Sequence, residues 1–352
     1  MATKRLPVFA VGAINKPNHP RAAAARLFAA ALLLASVCTS MAAMLYVDVN
    51  SANPTAPYSS WATAAATIQD AVDAAVAGDE IVVTNGLYAT GGRAVDGTMT
   101  NRVAADKPLR LRSVNGPQFT MIQGHHVSGT NNGDGAIRCV YLANGAVLSG
   151  FTLTNGATRA VFENPPNRQS SGGGVWCEYR DSVVVSNCVI AGNSAANYGA
   201  GAAQGTLNNC TLTGNSGPGA YYSALNHCTL SGNLGAGAVS SILNNCTMSS
   251  NSGAGADSST LNNCTLTGNS GGGASGCTLN YCTLTGNSGA GGASTCTLNN
   301  STLSGNSGGG AASSTLNNCA LPGNLSAGAY SSMLTNCTLS GNSGGGAYDC
   351  TL

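Results

Sequence analysis

From residue 207 to the end of the chain, one pattern of apolar and polar positions is written again and again: LNNCTLTGNSGPGAYYSA, LNHCTLSGNLGAGAVSS, LNNCTMSSNSGAGADSS. Cysteine marks the beat at Cys210, Cys228, Cys246, Cys264 and Cys282, then Ser301, Cys319 and Cys337. Each step is 18 residues except the 19 from Cys282 to Ser301, and the glycines of 289–292 offer a turn to absorb the extra one. Self-similarity at a fixed period predicts a solenoid, whose units bury their apolar faces only by stacking.

Within a copy, Cys210-Thr211-Leu212-Thr213 alternates apolar with polar, the period of a strand with one buried face. Helix is excluded there, because glycine, asparagine, serine and threonine fill the gaps and no i, i+3, i+4, i+7 stripe appears. Glycine and asparagine supply turns, since both tolerate positive φ. Stacked strands place equivalent side chains about 4.8 Å apart. The columns are then leucine (Leu207, Leu225, Leu243 and onward to Leu352), a second aliphatic column (Leu212, Leu230, Met248, Leu266), alanine (Ala220, Ala238, Ala256) and asparagine (Asn215, Asn233, Asn251). Stacked asparagines can hydrogen-bond one another along the axis. The pattern predicts an all-β, right-handed parallel β-helix with 18-residue coils in its C-terminal half. A left-handed hexapeptide helix wants apolar residues every six positions, and a calcium-binding nonapeptide roll wants an aspartate in each glycine turn; neither pattern is present.

Upstream, 46–49 and 80–84 read as strands, and 67–76 reads as the one helix, with Ile68, Ala71, Val72 and Ala75 on one face and Gln69, Asp70 and Asp73 on the other. A helix ahead of the first coil suits a solenoid, whose open end exposes core and strand edges. Thr67-Ile68-Gln69, Ala71, Ala75, Gly78-Asp79-Glu80-Ile81 and Gly86-Leu87-Tyr88 resemble the N-terminal cap of secreted right-handed parallel β-helix proteins of the pectate-lyase-like superfamily. The GNSGGGA-type repeats are similar to those of large bacterial surface proteins and, loosely, of autotransporter passengers. The resemblance covers most of the chain and implies fold more than activity.

Residues 107–190 read as longer, less regular coils at 108–114, 118–123, 136–142, 146–154, 175–179 and 182–190, with insertions at 128–135 and 158–174. The second carries Pro165-Pro166 and is expected to protrude. Basic residues Lys4, Arg5, Lys16, Arg21 and Arg26, the apolar run 27–37 and small residues at 40–42 predict a secretion signal over 1–43. The run is too short to span a membrane, and Val37 is bulkier than a lipoprotein signal carries before Cys38. The expected division is therefore 1–43 signal, 44–106 strand, helical cap and first coil, 107–206 irregular coils, and 207–352 regular repeats. The last residues stop part-way through a coil, which reads as a fragment of a longer chain or a last coil that frays or pairs with a partner.

The formal net charge is +1 and charged residues make up 8%, so neither nucleic acid nor an anionic membrane is an implied partner. From Ser182 to Leu352 the only formally charged residues are Asp257 and Asp349. General acid–base chemistry needs titratable groups placed together, so any active site must lie within 48–181. Its candidates are His125, His126, Asp134, Arg138, Glu163, Glu178, Arg180 and Asp181. Pectate lyases of the superfamily carry acidic calcium clusters with a basic residue, and polygalacturonases carry paired aspartates and a Gly-His-Gly. Gly124-His125-His126 is neither, and these polar residues read chiefly as exposed groups on coils and loops. Serine takes the cysteine's place at Ser301, and Cys277, Cys296 and Cys350 alternate with serines, so the columns read as small buried residues with scattered disulfides as the competitor. No metal or cofactor motif accompanies them.

If Leu212 points inward, Thr211 and Thr213 point outward, and the pair recurs as Thr265/Thr267 and Thr283/Thr285, interrupted at Ala320 and Pro322. The resulting hydroxyl lattice resembles ice-binding β-helix faces and equally suits a crystalline polysaccharide, although threonine also simply favours exposed strand positions. The leading expectation is an exported, non-enzymatic stalk or adhesin-like scaffold whose partner is a polysaccharide or cell-surface glycan. The alternative is a polysaccharide-active lyase or glycosidase with its site in 48–181.

Overall fold

The structure, a computed structural model, describes residues 42–161 and 167–352. All but the last two residues of the expected leader, with Cys38, and also Glu163 and Pro165-Pro166, lie outside those residues. Among the described residues no helix is long and apolar enough to cross a membrane.

The chain winds as a right-handed parallel β-helix whose coils contribute to three sheets. The repeat therefore holds three short strands. Thr206–Asn208 lies in sheet one, Thr211–Thr213 in sheet two and Ala220–Tyr221 in sheet three. Register runs straight down each column: Leu207 pairs with Leu225, Leu212 with Leu230 and Ala220 with Ala238. Nearly every inward side chain of these columns is fully buried. Each leucine contributes about 1.5–3 kcal/mol by leaving water, but only because the next rung covers it.

One left-handed residue turns the chain at each corner. Asn209 (φ 53°) and Gly214 (φ 61°) do so on either side of Thr211–Thr213, and Tyr222 (φ 51°) does so after sheet three. Cys210 thus sits in a corner instead of on the strand that its alternation with Leu212 implied. The same device splits 146–154 and 182–190, each expected as one run, into two strands at Gly150 (φ 81°) and Asn187 (φ 51°). The 19-residue step is absorbed at 288–291, where the Gly291 amide closes a turn on the Ser288 carbonyl, and pairing resumes at Ala293↔Ala311.

The first end is closed by β1 (Met44–Val47), helix α1 (Ile68–Ala74) and a short antiparallel pair, β2 (Arg93–Ala94) with β3 (Thr100–Ala105). Thr67 caps α1 by accepting from the Asp70 amide (3.1 Å). Ile68, Ala71, Val72 and Ala75 face the core as expected. Gln69 does not face solvent. It is buried, accepts the Ala104 amide of β3 (2.8 Å) and donates to Asp73 (2.7 Å). A strand-edge donor thus finds its partner in the cap, which blunts the edge. Asp79, also buried, accepts from the Ala43 and Val76 amides (both 2.8 Å).

The 158–174 insertion does not protrude where it is described. Ser170, Ser171 and Gly172 are buried, and a second small core of Ala104, Tyr141, Trp176 and Ala203 lies on the outer side of sheet three. That covering ends at Ala203, so sheet three is clothed along its first coils and bare along its last.

Candidate functional site

The lattice positions Thr211, Thr213, Thr265, Thr267, Thr283 and Thr285 all stand on the outer side of sheet two, flanking buried leucines. Hydroxyls there repeat about 4.8 Å between rungs and about 6.7 Å along a strand. Among the described residues two lattice hydroxyl pairs bond to each other, Ser231 to Thr213 (3.2 Å) and Ser304 to Thr285 (3.3 Å). Sheet one differs. Its outer asparagines form a continuous ladder that the sequence reading missed, Asn226 donating to Asn208 (2.9 Å) and onward to Asn317. Those amides are spent within the protein, whereas most sheet-two hydroxyls face outward.

The cysteine columns are buried, and they also hydrogen-bond. The Cys246 thiol donates towards the Leu225 and Asn244 carbonyls (3.5 and 3.3 Å), and its sulfur accepts the Cys228 amide (3.4 Å). Ser301 makes the same bonds with oxygen, accepting the Cys282 amide and donating to the Asn299 carbonyl (both 3.0 Å). In the other column Ser241 accepts from the Ser223 amide (3.1 Å), and Cys277 accepts from that of Ser259 (3.3 Å). Serine and cysteine alternate because either satisfies the corner amide. The thiols of the described residues are free, and burial pushes that of Cys139 up to about 12. Among the cysteines of the described residues, native protein is expected to react with an aromatic disulfide reagent only at the part-exposed Cys337 and Cys350, the buried ones reacting on unfolding. Rapid native labelling at Cys246 would contradict the buried column. Among the described residues no three of His, Cys, Asp and Glu gather as a metal site.

The candidate titratable groups scatter. Asp134 pairs with Arg159 (2.5 Å) at a side-chain exposure of 87%. His125 bridges Ile137 through its backbone. The His126 ring meets the Gly156 carbonyl at 3.2 Å, and burial lowers its pKa. Arg138, expected on the surface, is fully buried: it donates to Asn101 (2.8 Å) and to the Gly172 and Ser171 carbonyls (both 2.9 Å), and its guanidinium lies 5.8 Å from the Trp176 ring. It pins the insertion onto sheet three. Glu178 accepts from the Tyr141 hydroxyl (2.9 Å) and the Asn144 amide (3.1 Å). Burial first, and then the Glu178 carboxylate, drive the Tyr141 phenol well above its ordinary pKa.

Arg180 and Asp181 do come together, at the corner leading from sheet three into sheet one. Here residues 178–182 take a long path, while the next two rungs turn within two residues, on the left-handed pair Gln204-Gly205 and then on Tyr222 alone. The step leaves a cavity of about 460 Å³ lined by Asn144, Tyr179, Arg180, Asp181, Ser182, Gln204 and Tyr222. The Arg180 guanidinium stands 5.0 Å from the Tyr222 ring and 3.4 Å from the Asp181 carboxylate. Tyr179 and Tyr222 are exposed, and Tyr221 stacks on Tyr198 at 4.4 Å beside them. The sequence reading missed these tyrosines. The available signal was Tyr221-Tyr222 at a position where other copies carry mostly small residues.

No protein-family model matches the chain, and no curated protein matches it. Solved structures do. The A-module of the mannuronan C-5 epimerase AlgE4 from Azotobacter vinelandii aligns with a TM-score of 0.56 at 14% identity, over 81% of this chain and 92% of that one. Pectate lyase Pel9A aligns at 0.43 and 14% identity over 88% and 80%, and the Dettilon tailspike protein at 0.43 and 14% over 87% and 68%. The likeness is one of fold: a right-handed parallel β-helix.

Proposed function

We propose that the chain is an exported, non-enzymatic β-helix that serves as a rigid stalk or adhesin-like scaffold and meets polysaccharide through the outer side of sheet two. The observation that carries this reading is the regular grid of outward hydroxyls on a backbone held in strict register. Such a grid offers donors and acceptors at a repeat that an ordered polymer surface can match, and it carries no charge to repel one. The fold shared with a mannuronan epimerase module is compatible with a glycan partner. That module's activity is not carried over, because the carboxylates at Asp134, Glu178 and Asp181 each sit with a different partner.

Replacing Thr265 and Thr283 together by valine keeps their shape and removes two hydroxyls from the grid. With about 0.5–1.5 kcal/mol per lost hydrogen bond, retention on an insoluble polysaccharide is expected to fall about tenfold. Unchanged retention would remove sheet two as the contact face. Incubation with acidic and neutral polysaccharides is expected to release no sugar. Release that Asp134→Asn, Glu178→Gln or Asp181→Asn abolishes would establish an enzyme instead.

A further inference from the structure

We propose that the step between sheets three and one is a second, discrete binding site, and that its ligand is a single neutral sugar ring at the end of a glycan. It is independent of the sheet-two grid, which lies on another face of the rod. The cavity, about 460 Å³, falls within the range of small-molecule sites and is large enough for one pyranose with its substituents. A pyranose presents flat C–H faces and a rim of hydroxyls. Tyr179 and Tyr222 supply exposed aromatic surface in a chain with only 5% aromatic residues. Around them stand the amides of Asn144 and Gln204 and the charged pair Arg180 and Asp181. The Ser182 hydroxyl oxygen, lining the same cavity, is buried and has no hydrogen-bond partner among the described residues.

Charge selects the class. Arg180 and Asp181 stand 3.4 Å apart, so the site holds one positive and one negative group side by side. A carboxylated sugar would gain from the first and lose to the second; a neutral diol can accept from one and donate to the other. The site is also preorganised. Arg180 is pinned over Tyr222, its carbonyl accepts from Thr206 (2.8 Å), and Glu178 at the start of the long corner is held by Tyr141 and Asn144.

The test is calorimetric titration of the full chain with cellotriose, mannotriose and trigalacturonate. At least one neutral trisaccharide is expected to bind, with little dependence on salt, and trigalacturonate at least tenfold more weakly. Tyr222→Ser and Tyr179→Ser are each expected to weaken the neutral ligand tenfold or more. Serine already occupies the Tyr222 corner in later rungs, at Ser240 and Ser258, so that variant keeps the fold. Retention on insoluble polysaccharide through sheet two stays unchanged in both variants, which separates the two sites. Three results would overturn the site: no binding of either neutral trisaccharide at millimolar concentration, tighter salt-sensitive binding of trigalacturonate, or serine variants that bind as the parent does.

Discussion

Replacing Asn269 by alanine will destabilise the rod by about 3–5 kcal/mol. Asn269 is fully buried in the inner ladder. Its carbonyl oxygen accepts from the backbone amide and the side-chain amide of Asn251 (3.1 and 2.9 Å). Its own amide donates to the Met248 carbonyl and to Asn287 (3.1 and 2.9 Å). Truncation breaks four bonds in a dry interior. The Asn251 side-chain amide keeps the Leu230 carbonyl and the Asn287 oxygen keeps the Asn269 backbone amide (both 3.0 Å), so the Asn251 backbone amide and the Met248 carbonyl bear most of the loss. Each buried group left unpaired costs about 1–3 kcal/mol before partial relaxation. Asn262 provides the control. It makes two ladder bonds (both 2.9 Å) on the half-buried outer side of sheet one, where water can replace them. Asn262→Ala should therefore cost under about 1 kcal/mol. Urea unfolding measures the difference, and amide exchange should show the lost protection concentrated in the rungs that Asn269 joins. Equal costs for the two substitutions would mean that the inner ladder is not what holds the corners.

That inner ladder was legible in the sequence because a solenoid repeats its buried chemistry at the same interval as its backbone. Leu207 to Leu334, Ala220 to Ala329 and Asn215 to Asn342 could be read as columns before any coordinate was known, and the register places them so. What a period of 18 cannot reveal is how often the chain bends within it. Single left-handed residues at Asn209 and Tyr222 turn the coil without the cluster of turn residues that marks a loop. The sites were harder still. Arg138 looked like a surface cation because its partners, Asn101 and the carbonyls of Ser171 and Gly172, lie more than 30 residues away on both sides. The sugar-sized step is assembled from four successive rungs of unequal corner length, and only a difference between neighbouring coils creates it. Periodicity reports what rungs share, whereas a binding site here arises from what they do not.

Glycine misled for a related reason, and one substitution tests the correction. Read from sequence, the glycines of the repeat are turn residues that supply positive φ. Gly268 fits that description, with φ at 62° and nothing closer than 4.0 Å to a Cβ placed on it. Gly255 does not: its φ lies outside the left-handed region, and alanine there would meet no backbone strain. By conformational entropy alone Gly255→Ala should stabilise by about 0.4–1 kcal/mol. Space reverses the sign. A Cβ at Gly255 would lie 2.7 Å from the Gly273 carbonyl oxygen, 2.9 Å from the Asn269 side-chain nitrogen and 3.0 Å from a Leu266 methyl. The Gly273 carbonyl cannot retreat without releasing the Ala256 amide it accepts at 3.1 Å, and the Asn269 amide cannot retreat without opening the ladder. Gly255→Ala is therefore expected to cost about 3 kcal/mol or more, at the upper end for overpacking. Gly268→Ser places at its corner the residue that Ser250 already carries one rung earlier at φ 55°, and should cost about 1 kcal/mol. If thermal unfolding ranked the two the other way, close approach of rungs would not be the reason for this glycine column, and the tight stacking that forces the inner asparagines into contact would have to be abandoned with it.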